Sequence, residues 1–179
     1  GNTQHGEQAG EPQPQRLRQR VPRHEPDATA GTRPSGKLDV SGHGVEAALL
    51  AVSACRYLSN THDPSSVLWE RPADSAAYQL RSPAGVLREL NSRMTAQSLS
   101  EQYFTLFYGI LNHRTGEFRY SVAGHPTPAH MSAQGAVRFL PGEGLPIGIA
   151  ETDYDEHRLQ LYPGEVTALV GENGAGKST

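Results

Sequence analysis

The sequence predicts an α+β domain in which two amphipathic helices are followed by a run of antiparallel strands. Three observations carry this. Apolar residues recur at spacings of three and four over Val45–Leu58 and again over Val86–Met94. From Glu117 to Ala123 the pattern changes to a period of two, with Phe118, Tyr120 and Val122 on one face. Turn-forming residues then separate several further short β-like runs, and two helices ahead of a series of strands point to a layered α+β arrangement.

In chain order, residues 1–36 are rich in Gln, Pro, Arg, Gly, Glu and Thr, with Leu17 and Val21 almost alone as sizeable aliphatic residues. Such a segment buries too little apolar surface to offset a backbone ordering cost of about 1–2 kcal/mol per residue. It is expected to be a disordered tail. Its arginines at 16, 18, 20 and 23 are nearly balanced by Glu7, Glu11, Glu25 and Asp27. Lys37–Val40 reads as a short strand. In the first helix Val45, Ala48, Leu49, Val52, Cys55 and Leu58 form the expected buried face.

Pro64 and Pro72 break the next stretch, where Trp69 is a lone aromatic anchor. Ser82 is suited to cap a second helix, with Pro83 in its first turn and Val86, Leu87, Leu90 and Met94 as its apolar stripe. Tyr103–Leu111 and Glu117–Ala123 make a hairpin around Arg114–Gly116. A smaller hairpin spans Pro128–Leu140, and strands are expected at His157–Tyr162 and Val166–Val170.

The 179 residues suit one domain with a core of its own, while a mean hydropathy of -0.56 is low for a fully packed chain. A net charge of -3 gives no electrostatic argument for nucleic acid or an anionic membrane, and neither is expected as a partner. Cys55 is the only cysteine, which excludes an intrachain disulfide; it is expected to be a small buried residue. No run approaches the roughly 18 apolar residues of a membrane helix and no leader pattern opens the chain, so a soluble cytoplasmic protein without membrane insertion is expected.

Three motifs carry chemistry. Asp39, Val40, Ser41, Gly42, His43 and Gly44 join a strand end to the first helix, placing a carboxylate on a glycine-rich turn. Read alone, the string also fits an ordinary strand-to-helix turn capped by Ser41. Ala123, Gly124, His125 and Pro126 follow the hairpin, and Leu145–Ile149 follows in turn. With the helix from Ser82, Asn91 and the strand from Phe104, these motifs resemble, in order and spacing, the metal-dependent (PPM-type) protein serine/threonine phosphatases of the SpoIIE-like branch. The resemblance runs from about Leu38 to Glu165. It implies an α/β sandwich of antiparallel sheets with flanking helices, here incomplete.

It also implies a bacterial signalling hydrolase that removes phosphate from a regulatory protein such as an anti-sigma-factor antagonist. In that family two manganese or magnesium ions activate a water and neutralise phosphoryl oxygens, and such hard cations take oxygen ligands. By resemblance Asp39 supplies one carboxylate ligand and Val40 a main-chain carbonyl. His125 is assigned a structural hydrogen bond to its loop, not catalysis. The family's other metal aspartates, on an upstream strand with a Gly-Asp pair and on downstream turns, have no counterpart in the sequence. Asp153, Asp155 and Glu156 read as a solvated loop. Weak metal binding and impaired activity are therefore expected.

The final residues carry a different motif. Gly171, Gly174, Gly176, Lys177 and Ser178 satisfy the phosphate-loop pattern, in which backbone N–H groups and the lysine hold phosphates and the serine ligates magnesium. From Pro163 onward the chain resembles the start of a sugar-importer-type ABC-transporter ATPase. ATP binding is not expected from so short a piece. Pro163, Gly164 and Glu165 fit both families, which suggests a join there and a division into 1–36, 37–165 and 166–179. Two other functions stay open: a catalytically inactive protein-binding module of the same fold, and the N-terminal piece of an ABC ATPase.

Overall fold

The computed structural model describes residues 31–40, 45–60, 65–97 and 103–168. Its elements are β1 (Thr32–Val40), α1 (Val45–Tyr57), β2 (Trp69–Glu70), β3 (Gln79–Leu80), α2 (Pro83–Gln97), β4 (Phe104–Asn112), β5 (Glu117–Ala123), β6 (Ala129–Met131), β7 (Val137–Phe139), β8 (His157–Gln160) and β9 (Val166–Ala168). All pairings are antiparallel. The main sheet has the order β1-β4-β5-β8, a second sheet the order β7-β6-β9, and β2 and β3 form a two-stranded ribbon. The predicted α+β class with antiparallel sheets and flanking helices is the class observed.

Strand β4 is buried on both faces, so its two sets of alternate residues feed two cores. Phe104, Leu106, Tyr108 and Ile110 pack with Leu38 and Val40 of β1 and with Ala54, Val86, Leu87 and Leu90 of the helices. Trp69 is partly buried against this helix-side core. Phe107 points the other way, into a smaller core with Phe118, Tyr120, Val122 and Leu140. There the ring centroids of Phe107 and Phe118 lie 5.5 and 5.6 Å from that of Tyr120.

Helix α2 forms as its sequence dictates. The Ser82 hydroxyl accepts from Gly85 N–H at 3.2 Å, and Pro83 begins the helix. Val86, Leu87 and Leu90 are fully buried, each worth about 1.5–3 kcal/mol relative to exposure. The next residue, Asn91, is also buried. Its amide donates to Ala150 O at 2.9 Å and its carbonyl oxygen accepts from Gly148 N–H at 2.9 Å, pinning the Leu145–Ile149 loop to the helix.

Three expectations are corrected. First, residues 32–36, assigned to the tail, form the first half of β1, in register from Thr32 opposite Asn112 to Val40 opposite Phe104. Backbone pairing to β4 supplies what the polar side chains do not. Pro34 is tolerated because β1 is an edge strand. Second, α1 turns its predicted apolar face outward: Val45, Leu49 and Val52 are 76%, 62% and 67% exposed, whereas Leu50, Ala54, Tyr57 and Leu58 contact the core. The helix is apolar around most of its circumference, so periodicity offers two stripes and packing selects one. Third, Cys55 is exposed as a consequence of that rotation.

Val166–Ala168, where the phosphate-loop resemblance has its strand, pairs as β9 with β6. Just before it, Glu165 reaches buried His130 of β6 at 3.8 Å and accepts from Tyr162 N–H at 2.8 Å. These contacts make the segment part of the second sheet.

Replacing Asn91 by Ala removes a buried side chain and both of its hydrogen bonds to the backbone of Gly148 and Ala150, and is expected to cost about 1–3 kcal/mol in chemical denaturation. Leu49→Gln on the exposed face of α1 is expected to change stability by less than about 0.5 kcal/mol. A comparable loss in both variants would reject the observed orientation of α1. A second expectation concerns alkali. Burial raises the Tyr108 and Tyr154 phenols above their ordinary value of 10.0. Their neutral forms favour the fold fully below pH 10.0; above it the unfolded chain ionises first, so stability falls with rising pH. Denaturation midpoints that drop with rising pH beyond 10.0 are expected.

Candidate functional site

The three motif regions converge at one end of the main sheet. Asp39 is the penultimate residue of β1 and sits opposite Thr105 of β4, with Val40 opposite Phe104. The N–H and C=O of Phe104 are both engaged by Ile147, at 3.2 and 2.9 Å, on the side of β4 away from β1. By the alternation of antiparallel ladders, Val40 and Phe104 are then a non-hydrogen-bonded pair, and the Val40 carbonyl points to the open edge of the sheet. The same alternation turns the nitrogen of Pro34 outward, consistent with its place in the strand.

Beside this strand end lies the Ala123–Pro126 corner. His125 is 5% exposed, and its Nδ1 shares a 3.0 Å hydrogen bond with the Thr105 hydroxyl, the direction set by the imidazole tautomer. Thr105 is thus the register partner of Asp39 and the hydrogen-bond partner of His125, a link that no local motif announces. Gly124 has φ +63° and donates to Gly144 O at 2.8 Å; a Cβ there would fall 2.5 Å from Pro146 Cγ. Only glycine lets the corner close against the Leu145–Ile149 loop, which Asn91 holds from its other side.

Among the predicted ligands, Asp39 and Val40 thus occupy one strand end. Gly171, Gly174, Gly176, Lys177 and Ser178 lie outside the described residues, as do Ser41 to Gly44. Asp153 pairs with Arg88 of α2 at 2.7 Å and is largely exposed, while Glu156 lies 3.6 Å from both Arg119 and Arg158. These acidic groups are committed to ion pairs. Among the described residues no three His, Cys, Asp or Glu side chains come together in a metal-binding group. Among the described residues, the one carboxylate and one carbonyl that the motifs assign, Asp39 and Val40, are too few to fit a two-metal centre, since hard divalent cations with so few protein oxygens stay mostly hydrated. No helix of the described residues is long and apolar enough to cross a membrane.

The family model described as Stage II sporulation protein E (SpoIIE) matches residues 37–171. Among solved structures, the RsbU and RsbW domains of Rv1364c from Mycobacterium tuberculosis superpose with TM-score 0.56 at 23% identity, over 76% of this chain and 34% of that one. The SiaA-PP2C domain of Pseudomonas aeruginosa gives TM-score 0.55 at 18% identity, over 83% of this chain and 62% of that one. Both likenesses concern the fold. A short stretch is 84% identical over 25 residues to the ribose import ATP-binding protein RbsA of Roseobacter denitrificans, covering 14% of this chain and 5% of that protein. It supports the sugar-importer resemblance of the phosphate-loop segment and no more.

Thr105→Val, close in shape, removes the hydroxyl partner of a buried histidine. A loss of about 1–2 kcal/mol is expected, with faster amide exchange at Gly124, whereas exchange within α2 stays unchanged. Unaltered exchange at the corner would show that Thr105 does not hold it.

Proposed function

The chain belongs to the SpoIIE family, and on that premise we propose that it serves as a PPM-type phosphatase domain acting on phosphoserine or phosphothreonine of a regulatory protein. The observation that carries the reading is the convergence of Asp39, the Ala123–Pro126 corner and the Leu145–Ile149 loop at one sheet end, within the span of the family match. A phosphorylated anti-sigma-factor antagonist is the proposed substrate class. Relatives of the fold named for RsbU and RsbW domains and for the bacterial stressosome support a regulatory partner.

Within this reading Asp39 is the carboxylate donor for a manganese or magnesium ion, and Val40 offers its carbonyl from the sheet edge. Thr105 and His125 keep the strand end and the corner in fixed relation. Asn91 and Gly124 hold the facing loop. The chain spans 34% of the first solved structure above and 5% of the ribose-import protein, so the activity of a whole phosphatase is a proposal for this part of one.

A second reading follows from the few metal ligands among the described residues: an inactive module of the same fold that binds the phosphoprotein without turning it over. On either reading the phosphatase-like unit begins at Thr32 instead of residue 37 and takes in β9 (Val166–Ala168), with the phosphate-loop glycines, Lys177 and Ser178 following it in sequence.

Phosphate release from a phosphoserine protein, assayed with and without manganese, separates the readings. For the enzyme, release depends on metal and falls at least about 100-fold in Asp39→Asn. Binding of the phosphoprotein that is indifferent to metal and to Asp39→Asn, with no release, would establish the module instead.

A further inference from the structure

Two apolar faces of the described residues stand open. On α1 the outward stripe of Val45, Leu49 and Val52 lies outside the core that Leu50, Ala54, Tyr57 and Leu58 join. The second sheet presents the other face. Its register sets Met131 of β6 opposite both Val137 of β7 and Val166 of β9, and Ala129 opposite Phe139, so these side chains share one surface. That surface is turned outward: Val137 and Phe139 are 62% and 72% exposed, and Met131 and Val166 are exposed as well. His130, between Ala129 and Met131, points the opposite way and is buried, 3.5 Å from Thr167. An antiparallel sheet with one wet face ordinarily puts its polar residues there, and this one puts its apolar residues there.

The two faces cannot meet within one molecule. Helix α1 covers one side of the main sheet, while Leu140, directly after β7, joins the core on the other side. Nor do the longest segments outside the described residues offer a cover. Residues 1–30 contain only Leu17 and Val21 as sizeable aliphatics, and 169–179 runs from Leu169 and Val170 straight into a glycine-rich stretch. Contiguous apolar surface of this kind marks a site of association. A helix stripe and a sheet face are, moreover, the two surfaces that layered domains bury against each other, and neither of these carries a charged side chain to oppose the contact.

We propose that α1 of one copy of the chain packs on the β7-β6-β9 face of a second copy. The contact joins unlike surfaces, so each pair keeps one free face of each kind and association continues head to tail beyond two copies. Three side chains on the helix and four on the sheet fall short of the about 20–30 residues a side of a stable interface, so the contact is weak and reversible. It does not depend on the phosphatase reading.

Sedimentation velocity of the full chain over a concentration series is expected to show a mass that rises past that of a dimer. Leu49→Gln on the helix and Phe139→Gln on the sheet are each expected to raise the concentration needed for association about tenfold. An equimolar mixture of the two variants brings together one intact helix face and one intact sheet face, and is expected to form a one-to-one pair that grows no further. Val52→Gln and Val137→Gln are expected to repeat the pattern, and replace either variant whose circular dichroism departs from that of the parent. A parent that stays monomeric throughout the series overturns the proposal. So does undiminished association of Leu49→Gln or Phe139→Gln alone, which would mean that a face pairs with its own kind, and so does a mixture that remains monomeric where the parent associates.

Discussion

Strand β4 pairs with β1 on one side and β5 on the other while side chains cover both of its faces, and this double constraint sets the position of everything else. A slip of one residue in either ladder would exchange Phe107 with Leu106 and Tyr108, moving residues shaped for one core into the other. The register is therefore held by two cores at once. It is also what sets Asp39 opposite Thr105 and frees the edge of Val40, so the chemistry proposed for the strand end follows from packing along the whole of β4.

The loops at that end are held by a few specific contacts instead of by bulk burial. Asn91 reaches from a helix to the backbone of Gly148 and Ala150, Gly124 packs where no side chain fits, and Ile147 extends the ladder by bridging Phe104. Each contact joins segments distant in sequence. The arrangement gives a rigid frame around a strand terminus, which is the setting a positioned carboxylate requires.

Much of this is legible in the sequence because it is local. The Ser82 cap, the Val86–Met94 stripe and the alternation of Glu117–Ala123 each depend on neighbours within a few residues, and the structure holds each of them. What escapes depends on distant partners. Thr32–Gly36 is polar and contains Pro34, so nothing in its own composition announces a strand; β4 makes it one. The rotation of α1, and with it the exposure of Cys55, is hidden because an apolar circumference carries little directional information. Asp39 is visible through its motif, but the role of Thr105 arises only when the register of β1 on β4 is known, and the hydrogen bond to His125 only when the corner folds back. Asp153 and Glu156, which read in the sequence as part of a solvated loop, pair with arginines.

The two cores differ in one further respect. The chain has a single tryptophan, Trp69, and it lies on the helix side of the main sheet, while the opposite core is built on Phe107, Phe118 and Tyr120. Intrinsic indole emission therefore reports on one side of the molecule alone. Should the second sheet detach while the helices stay packed, that signal would remain silent, and the protein would look intact to a fluorimeter although β6, β7 and β9 had come away.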